Sequence, residues 1–253
     1  MSAQVSTGVS VGKGPLAIIC GGGTLPFAVA ESVRRSGRPV VLFPIKGWVD
    51  AGAVASYPHH WLALGQLGRF CRLASREGCP DVVMIGALVR PALHQLRLDW
   101  GAIMSLPHVF RMYRGGDDHL LSVLGGLLEQ KGFHLYGAHE LAPEILVPEG
   151  SMGRCNPNGR DRSDIARGLA VLEATGPFDV GQAVVVADNH VLALEAAEGT
   201  DNMLDRIAEL RRRGRIPTPT GRGVLIKAPK VGQDRRFDLP SIGPQTIAGS
   251  IRA

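Results

Sequence analysis

The chain has 253 residues, 45% hydrophobic and 20% charged, with a formal net charge of +5. That balance excludes wholesale disorder and provides apolar side chains for one large domain or two small ones. Lys and Arg are spread along the chain, so the charge favours anionic small ligands or an acidic surface and gives no indication of nucleic-acid binding.

Met1 to Gly14 is small and polar and is expected to be a flexible leader without the apolar core of a signal peptide. Leu16 to Cys20 reads as a buried strand, followed at once by Gly21-Gly22-Gly23-Thr24 and a helix with Pro26 in its first turn. Leu25, Val29 and Val33 are predicted to form that helix's buried stripe. Val40 to Phe43 is the next strand, so the chain opens with a βαβ unit and a parallel strand pair. Trp61 to Leu64 is predicted as a strand, Leu67 to Ala74 as a helix and Val82 to Gly86 as a buried strand. A helix is expected after Asp117-Asp118, with a leucine face, then a strand over Phe133 to Tyr136.

Gly- and Pro-bearing polar sequence from Pro148 through Gly159 marks a domain boundary. The expectation is a leader over 1–14, an N-terminal domain over 15–147 and a C-terminal domain over 148–253. Beyond the boundary a helix carries Ile165, Leu169 and Leu172, and Ala183 to Val186 and Val191 to Leu194 flank Asp188-Asn189 as an antiparallel hairpin. A helix with Met203, Leu204, Ile207 and Leu210 and a strand over Gly223 to Ile226 follow. The run Arg211-Arg212-Arg213-Gly214-Arg215 reads as a solvated helix end. The fold class is α/β, with a Rossmann-like parallel-sheet domain followed by a distinct mixed α+β domain.

Cys20, Cys71, Cys79 and Cys155 form no C-x-x-C pair, which argues against a zinc ribbon and suits a reducing, cytoplasmic compartment. No apolar run reaches the ~18 residues that would span a bilayer.

The strand–Gly21-Gly22-Gly23–helix arrangement is expected to offer bare N–H groups and a helix dipole to a phosphate. Pro26 takes the place of the last glycine of a dinucleotide fingerprint, and no acid follows Phe43, so ordinary NAD binding is disfavoured. Asp117 and Asp118 after Gly115-Gly116 read either as helix caps or as metal ligands. Glu198-Gly199-Thr200-Asp201 offers a helix cap or two further carboxylates near a divalent cation. Lys227 and Lys230, around Ala228-Pro229, read as phosphate-neutralising cations or a solvated strand end. Asp238 before Leu239-Pro240 is a turn aspartate or a group that orients or deprotonates water. His139, in Gly137-Ala138-His139-Glu140, is a structural histidine or a site residue near the domain boundary. No G-x-S-x-G or P-loop lysine motif is present.

Taken together, Gly21–Pro26, Gly86–Pro91, Gly115–Asp118, Gly137–Glu140, Glu198–Asp201, Lys227–Lys230 and Asp238–Pro240 resemble, in order, the LpxI-type UDP-2,3-diacylglucosamine pyrophosphatases. The resemblance implies Mg²⁺-dependent hydrolysis of UDP-2,3-diacylglucosamine to 2,3-diacylglucosamine 1-phosphate and UMP in lipid A synthesis, with water attacking the α-phosphorus. It implies a substrate held between the two domains, a catalytic C-terminal domain, and work at the cytoplasmic face of the inner membrane as a peripheral protein. A homodimer is compatible with the sequence. By the same resemblance Asp238 is the essential aspartate, as metal ligand or base, and Lys227 acts with it. Gly21, Gly22, Gly23, Thr24, Leu25, Arg90, His139, Gly199, Thr200 and Lys230 are the expected substrate-binding residues. Asp238, Asp117, Asp118, Glu198 and Asp201 are the expected metal ligands. Family members carry a further strand–helix segment, so a chain ending at Ala253 is expected to be truncated there. The alternative is a non-catalytic relative that binds a nucleotide sugar or lipid.

Overall fold

The computed structural model describes residues 12, 14–88, 117–230, 232–237 and 239–253, with the backbone alone for 117–120. The chain divides into two compact units. The first is Met1–Val147 with Asp234–Phe237, and the second is Pro148–Gln233 with Asp238–Ala253.

The first unit is built on β1 (Leu16–Cys20), β2 (Val40–Pro44), β3 (Asp81–Ile85) and β4 (His134–Tyr136), all parallel in the order β2-β1-β3-β4. Its helices are α1 (Leu25–Arg35), α2 (Ala51–Val54), α3 (Leu67–Arg76), α4 (Asp117–Gln130) and α5 (Ala138–Leu141). Both sheet faces are covered, which is why the strands read as continuous apolar runs. Leu16, Ile18 and Cys20 point into a core with Val29 and Val33 of α1, while Ala17, Phe43, Val82 and Met84 point into the other with Phe70 and Leu128. Burial pushes the Cys20 thiol up to about 12 and is the main cause that raises Cys79 to about 11, so both are poor nucleophiles.

Two expectations for this unit change. Residues 61–64 form no strand; the segment 59–62 runs beside β2 and touches it through the isolated bridges Leu42–His59 and Ile45–Leu62. Leu25 is exposed, because α1 turns its Val29–Val33 face to the sheet and leaves its first residue at the rim.

At the opposite end of the sheet from the strands' C-termini, Arg38 and Asp81 form a buried ion pair. The Arg38 Nε also donates to the Gly14 carbonyl at 2.9 Å. Asp81→Ala leaves a buried guanidinium without its counter-charge, which costs about 3–5 kcal/mol. Urea unfolding is expected to show that loss; an unchanged midpoint would refute it.

The second unit carries an antiparallel sheet in the order β6-β5-β7, from β5 (Ala183–Ala187), β6 (His190–Leu194) and β7 (Val224–Lys227). α6 (Gly159–Thr175) covers one face through Leu172, against Val184, Val186 and Ile226. α7 (Gly199–Arg212) covers the other through Met203, Leu204 and Ile207, and α8 (Pro244–Arg252) packs on α7, its Gly249 against Leu204. The expected parallel N-terminal sheet and the separate α+β unit are therefore both present.

The α6 stripe differs from the predicted Ile165–Leu169–Leu172. The residues buried toward the sheet are Asp164, Gly168 and Leu172, and Leu169 is exposed. Gly168 sits so close to β7 that a Cβ there would come within 2.9 Å of Ile226 Cγ1. Asp164 is buried because its carboxylate accepts the N–H groups of Asp188 at 3.0 Å and Asn189 at 2.5 Å. Those two residues, at φ 49° and 63°, make the tight turn between β5 and β6. In the arginine run, Arg212 and Arg213 pair with Glu209, while Arg211 donates to the Thr218 and Arg222 carbonyls and holds the following loop.

Candidate active site

In the first unit the glycine loop leaves the C-terminal end of β1, at the point where the strand order turns from β2 to β3. The Gly21 N–H donates to the Ile85 carbonyl at 2.8 Å and the Gly22 N–H to the Ala87 carbonyl at 2.8 Å. Ala87 N–H returns a bond to Gly22 at 2.9 Å. The expected bare donors therefore reduce to those beyond Gly22. Gly23, Thr24 and Leu25 are exposed, and none of their N–H groups donates to a backbone carbonyl among the described residues. Gly23 takes φ +91°, which favours glycine.

Gly21 has a different task. A Cβ on it would lie 2.7 Å from the backbone of Gly86, and a Cβ on Gly86 would lie 2.7 Å from the backbone of Gly21. The two glycines let the ends of β1 and β3 cross in contact. Arg90 lies outside the described residues.

His139 is on the short α5, just after β4. Its ring packs over Gly137, where a Cβ would push the ring aside, and its Nδ1 is buried without a hydrogen-bond partner among the described residues. Glu140 accepts the Gly137 N–H at 2.6 Å and fixes this turn. The same unit takes in Asp234–Phe237, the four residues that precede Asp238. Arg236 is gripped by Asp234 at 2.8 Å and by Glu129 of α4 at 2.6 Å, and these hydrogen bonds drive its proton affinity up while holding the Asp234 carboxyl low. The Phe237 ring fills the space beside Gly125 of α4, which a side chain would close. Sequence reasoning missed this strap, since no local pattern links residues about a hundred positions apart.

In the second unit Lys227, at the end of β7, donates to the Thr200 Oγ1 at 2.8 Å and to the Ser241 carbonyl at 2.9 Å. Thr200 in turn donates to Glu195 Oε1 at 2.7 Å. Two residues predicted from separate motifs, Lys227 and Thr200, are thus in direct contact, and Lys227 holds the chain three residues after Asp238. Gly199, at φ +78°, opens α7 beside Thr200. Lys230 is half-buried and ion-paired with Asp179, and its N–H donates to Gln233 at 2.9 Å.

Of the expected metal ligands, the side chains of Glu198 and Asp201 are among the described residues. Glu198 pairs with Arg206 at 2.7 Å, and Asp201 accepts the Thr246 hydroxyl at 3.4 Å. Among the described residues no three His, Cys, Asp or Glu side chains converge to hold a metal ion. Asp238 and the side chains of Asp117 and Asp118 lie outside the described residues. Glu198 and Asp201 as placed do not by themselves fit a magnesium site, which needs several hard oxygens around one point.

The comparisons define the class. Residues 15–145 match the family model of the LpxI N-terminal domain, and residues 148–253 that of the LpxI C-terminal domain. The UDP-2,3-diacylglucosamine pyrophosphatase LpxI of Caulobacter vibrioides is 37% identical over 238 residues, covering 94% of this chain and 85% of that protein. The chain belongs to the LpxI family. Two solved structures show slight likeness. A UDP-glucose-4-epimerase from Stenotrophomonas maltophila with bound NAD and formylated UDP-arabinopyranose is 16% identical, with a TM-score of 0.32 over 64% of this chain and 49% of that one. The biotin carboxylase domain of Hydrogenobacter thermophilus 2-oxoglutarate carboxylase is 13% identical, with a TM-score of 0.27 over 83% of this chain and 43% of that one. This chain thus spans less than half of either. Among the described residues no helix is long and apolar enough to cross a membrane.

Proposed function

We propose that this protein hydrolyses the diphosphate of UDP-2,3-diacylglucosamine to 2,3-diacylglucosamine 1-phosphate and UMP, a step of lipid A synthesis. The observation that carries the reading is the braced cation of the second unit. The Lys227 ammonium is fixed by Thr200 and Ser241, and its third N–H has no partner among the described residues. Hydrolysing a diphosphate asks for charge stabilisation and a placed water more than for covalent help from the protein. A fixed ammonium supplies the first need. Asp238, three residues before the carbonyl that Lys227 holds, supplies the carboxylate.

Water attacks the α-phosphorus, and the bond from that phosphorus to the bridging oxygen breaks. The bridging oxygen leaves with the lipid phosphate, and the water oxygen stays on UMP. Gly23, Thr24, Leu25 and His139 are proposed as substrate-binding residues through the family resemblance alone. The Mg²⁺ requirement and a peripheral place at the membrane's cytoplasmic face belong to the same proposal through the family resemblance.

The test is product analysis with the UDP-lipid in ¹⁸O-labelled water. UMP carrying the label and unlabelled lipid phosphate are expected, with activity lost in EDTA and restored by Mg²⁺. Label in the lipid phosphate overturns the site of attack. Tight binding of the UDP-lipid with no UMP would identify a binding protein instead.

A further inference from the structure

We infer that Glu195, which lies in none of the motifs that suggest the function, is a positioning residue that sets the direction of the Lys227 ammonium through the Thr200 hydroxyl. The inference rests on the reading that Lys227 meets the diphosphate.

The argument is one of hydrogen-bond polarity. An ionised carboxylate only accepts and an ammonium only donates. The Thr200 hydroxyl has a single hydrogen, and it lies 2.7 Å from Glu195 Oε1 and 2.8 Å from Lys227 Nζ. Its hydrogen must go to Glu195, so its oxygen faces Lys227 with a lone pair. Without Glu195 the hydroxyl is free to rotate and to turn its hydrogen toward the ammonium, which weakens the grip on Nζ.

Glu195 is itself held firmly enough for this task. Its N–H donates to the Ala183 carbonyl at 2.8 Å, and its carbonyl accepts the Gly181 N–H at 3.1 Å. Its Oε2 accepts the Gln182 N–H at 2.8 Å, leaving Oε1 to face Thr200. The side chain lies flat over Gly181, where a Cβ would come within 2.5 Å of Glu195 Cγ. Backbone on both sides, one carboxylate oxygen and the packing surface are thus all fixed before Thr200 is reached. With Thr200 and Ser241 taking two of the three N–H donors of Lys227, the direction of the third follows from tetrahedral geometry.

A double-mutant cycle on the full chain tests this, with kcat and KM for the UDP-lipid and the thermal midpoint measured for each variant. Glu195→Ala and Thr200→Val are each expected to lower kcat about 30-fold with little change in KM, the scale of a misaligned group in a reactive site. The double variant is expected to be no slower than either single one. Glu195→Gln, whose one acceptor oxygen can serve the Thr200 hydroxyl or the Gln182 N–H but not both, is expected to fall between the parent and Glu195→Ala. In a Lys227→Met background, Glu195→Ala is expected to cost nothing further.

Independent, multiplying losses, or a Glu195→Ala enzyme within twofold of the parent, overturn the inference while leaving the activity in place. A Lys227→Met enzyme that still releases UMP at the parent rate overturns the role given to Lys227, and the inference with it. If Glu195→Ala does not fold, the Thr200→Val and Glu195→Gln arms decide alone: a normal kcat in Thr200→Val is fatal to the proposal.

Discussion

Asp238→Ala is expected to lower kcat for UMP release by about 10³-fold, within the range for loss of an acid–base carboxylate, while the protein stays folded. The fold should survive because the segment is anchored by its neighbours. On one side Phe237 packs with the apolar core of the first unit and Arg236 is clasped by Asp234 and Glu129. On the other, the Ser241 carbonyl is held by Lys227 at 2.9 Å. None of these contacts uses the Asp238 side chain. Asp238→Asn, which keeps the shape and removes the charge, is expected to be as slow as Asp238→Ala. The check is steady-state kinetics beside circular dichroism and a thermal melt. UMP release at the parent rate in either variant would remove Asp238 from the chemistry, and a collapsed melt would make it a structural aspartate.

The second large effect is on stability. Gly21→Ala and Gly86→Ala are each expected to destabilise the first unit by about 3 kcal/mol or more, at the upper end for overpacking, because backbone has no rotamer into which it can retreat. A Cβ at either position meets main-chain atoms at 2.7 Å. Gly86 suffers twice, since its φ of +109° lies where L side chains are strained. Gly23→Ala serves as the contrast: it has the strained φ of +91° but nothing within 4 Å of a Cβ, so its loss should be clearly smaller. Denaturant midpoints rank the three. Equal losses at Gly21 and Gly23 would mean that the crossing does not constrain the fold.

Much of this was legible in the sequence. The apolar runs of β1, β2 and β3 announce a sheet covered on both faces, and the Asp188-Asn189 pair announces its hairpin. Where the reading failed, the deciding contact was distant. Gly21 reads as a bare donor, yet its N–H is taken by Ile85 and its surface by Gly86, 65 residues away. Leu169 looks like core because helical spacing allows it, yet Asp164 takes the buried place, bound to a turn that local periodicity does not see. The proposed functional residues of each unit divide in the same way. Lys227, Thr200, His139 and Asp238 stand out because their residue types suit the chemistry. Glu195 and Arg236 act by holding other groups, and nothing in their own neighbourhood of sequence says which ones.

The two sheets also differ in how far the chain must reach to close them. β5 finds β6 across a two-residue turn, whereas β1 must find β3 with Leu16 opposite Asp81, and β3 must find β4 with Asp81 opposite His134. Local pairings close quickly and distant parallel ones slowly. The second unit's hairpin therefore has its partner at hand from the start, although β7 must still reach β5 with Lys227 opposite Ala183, and the first unit's more distant parallel pairings are expected to set the slow phase of refolding. The crossing of Gly21 and Gly86 lies in that slow phase, so side chains there should delay assembly as well as weaken its product.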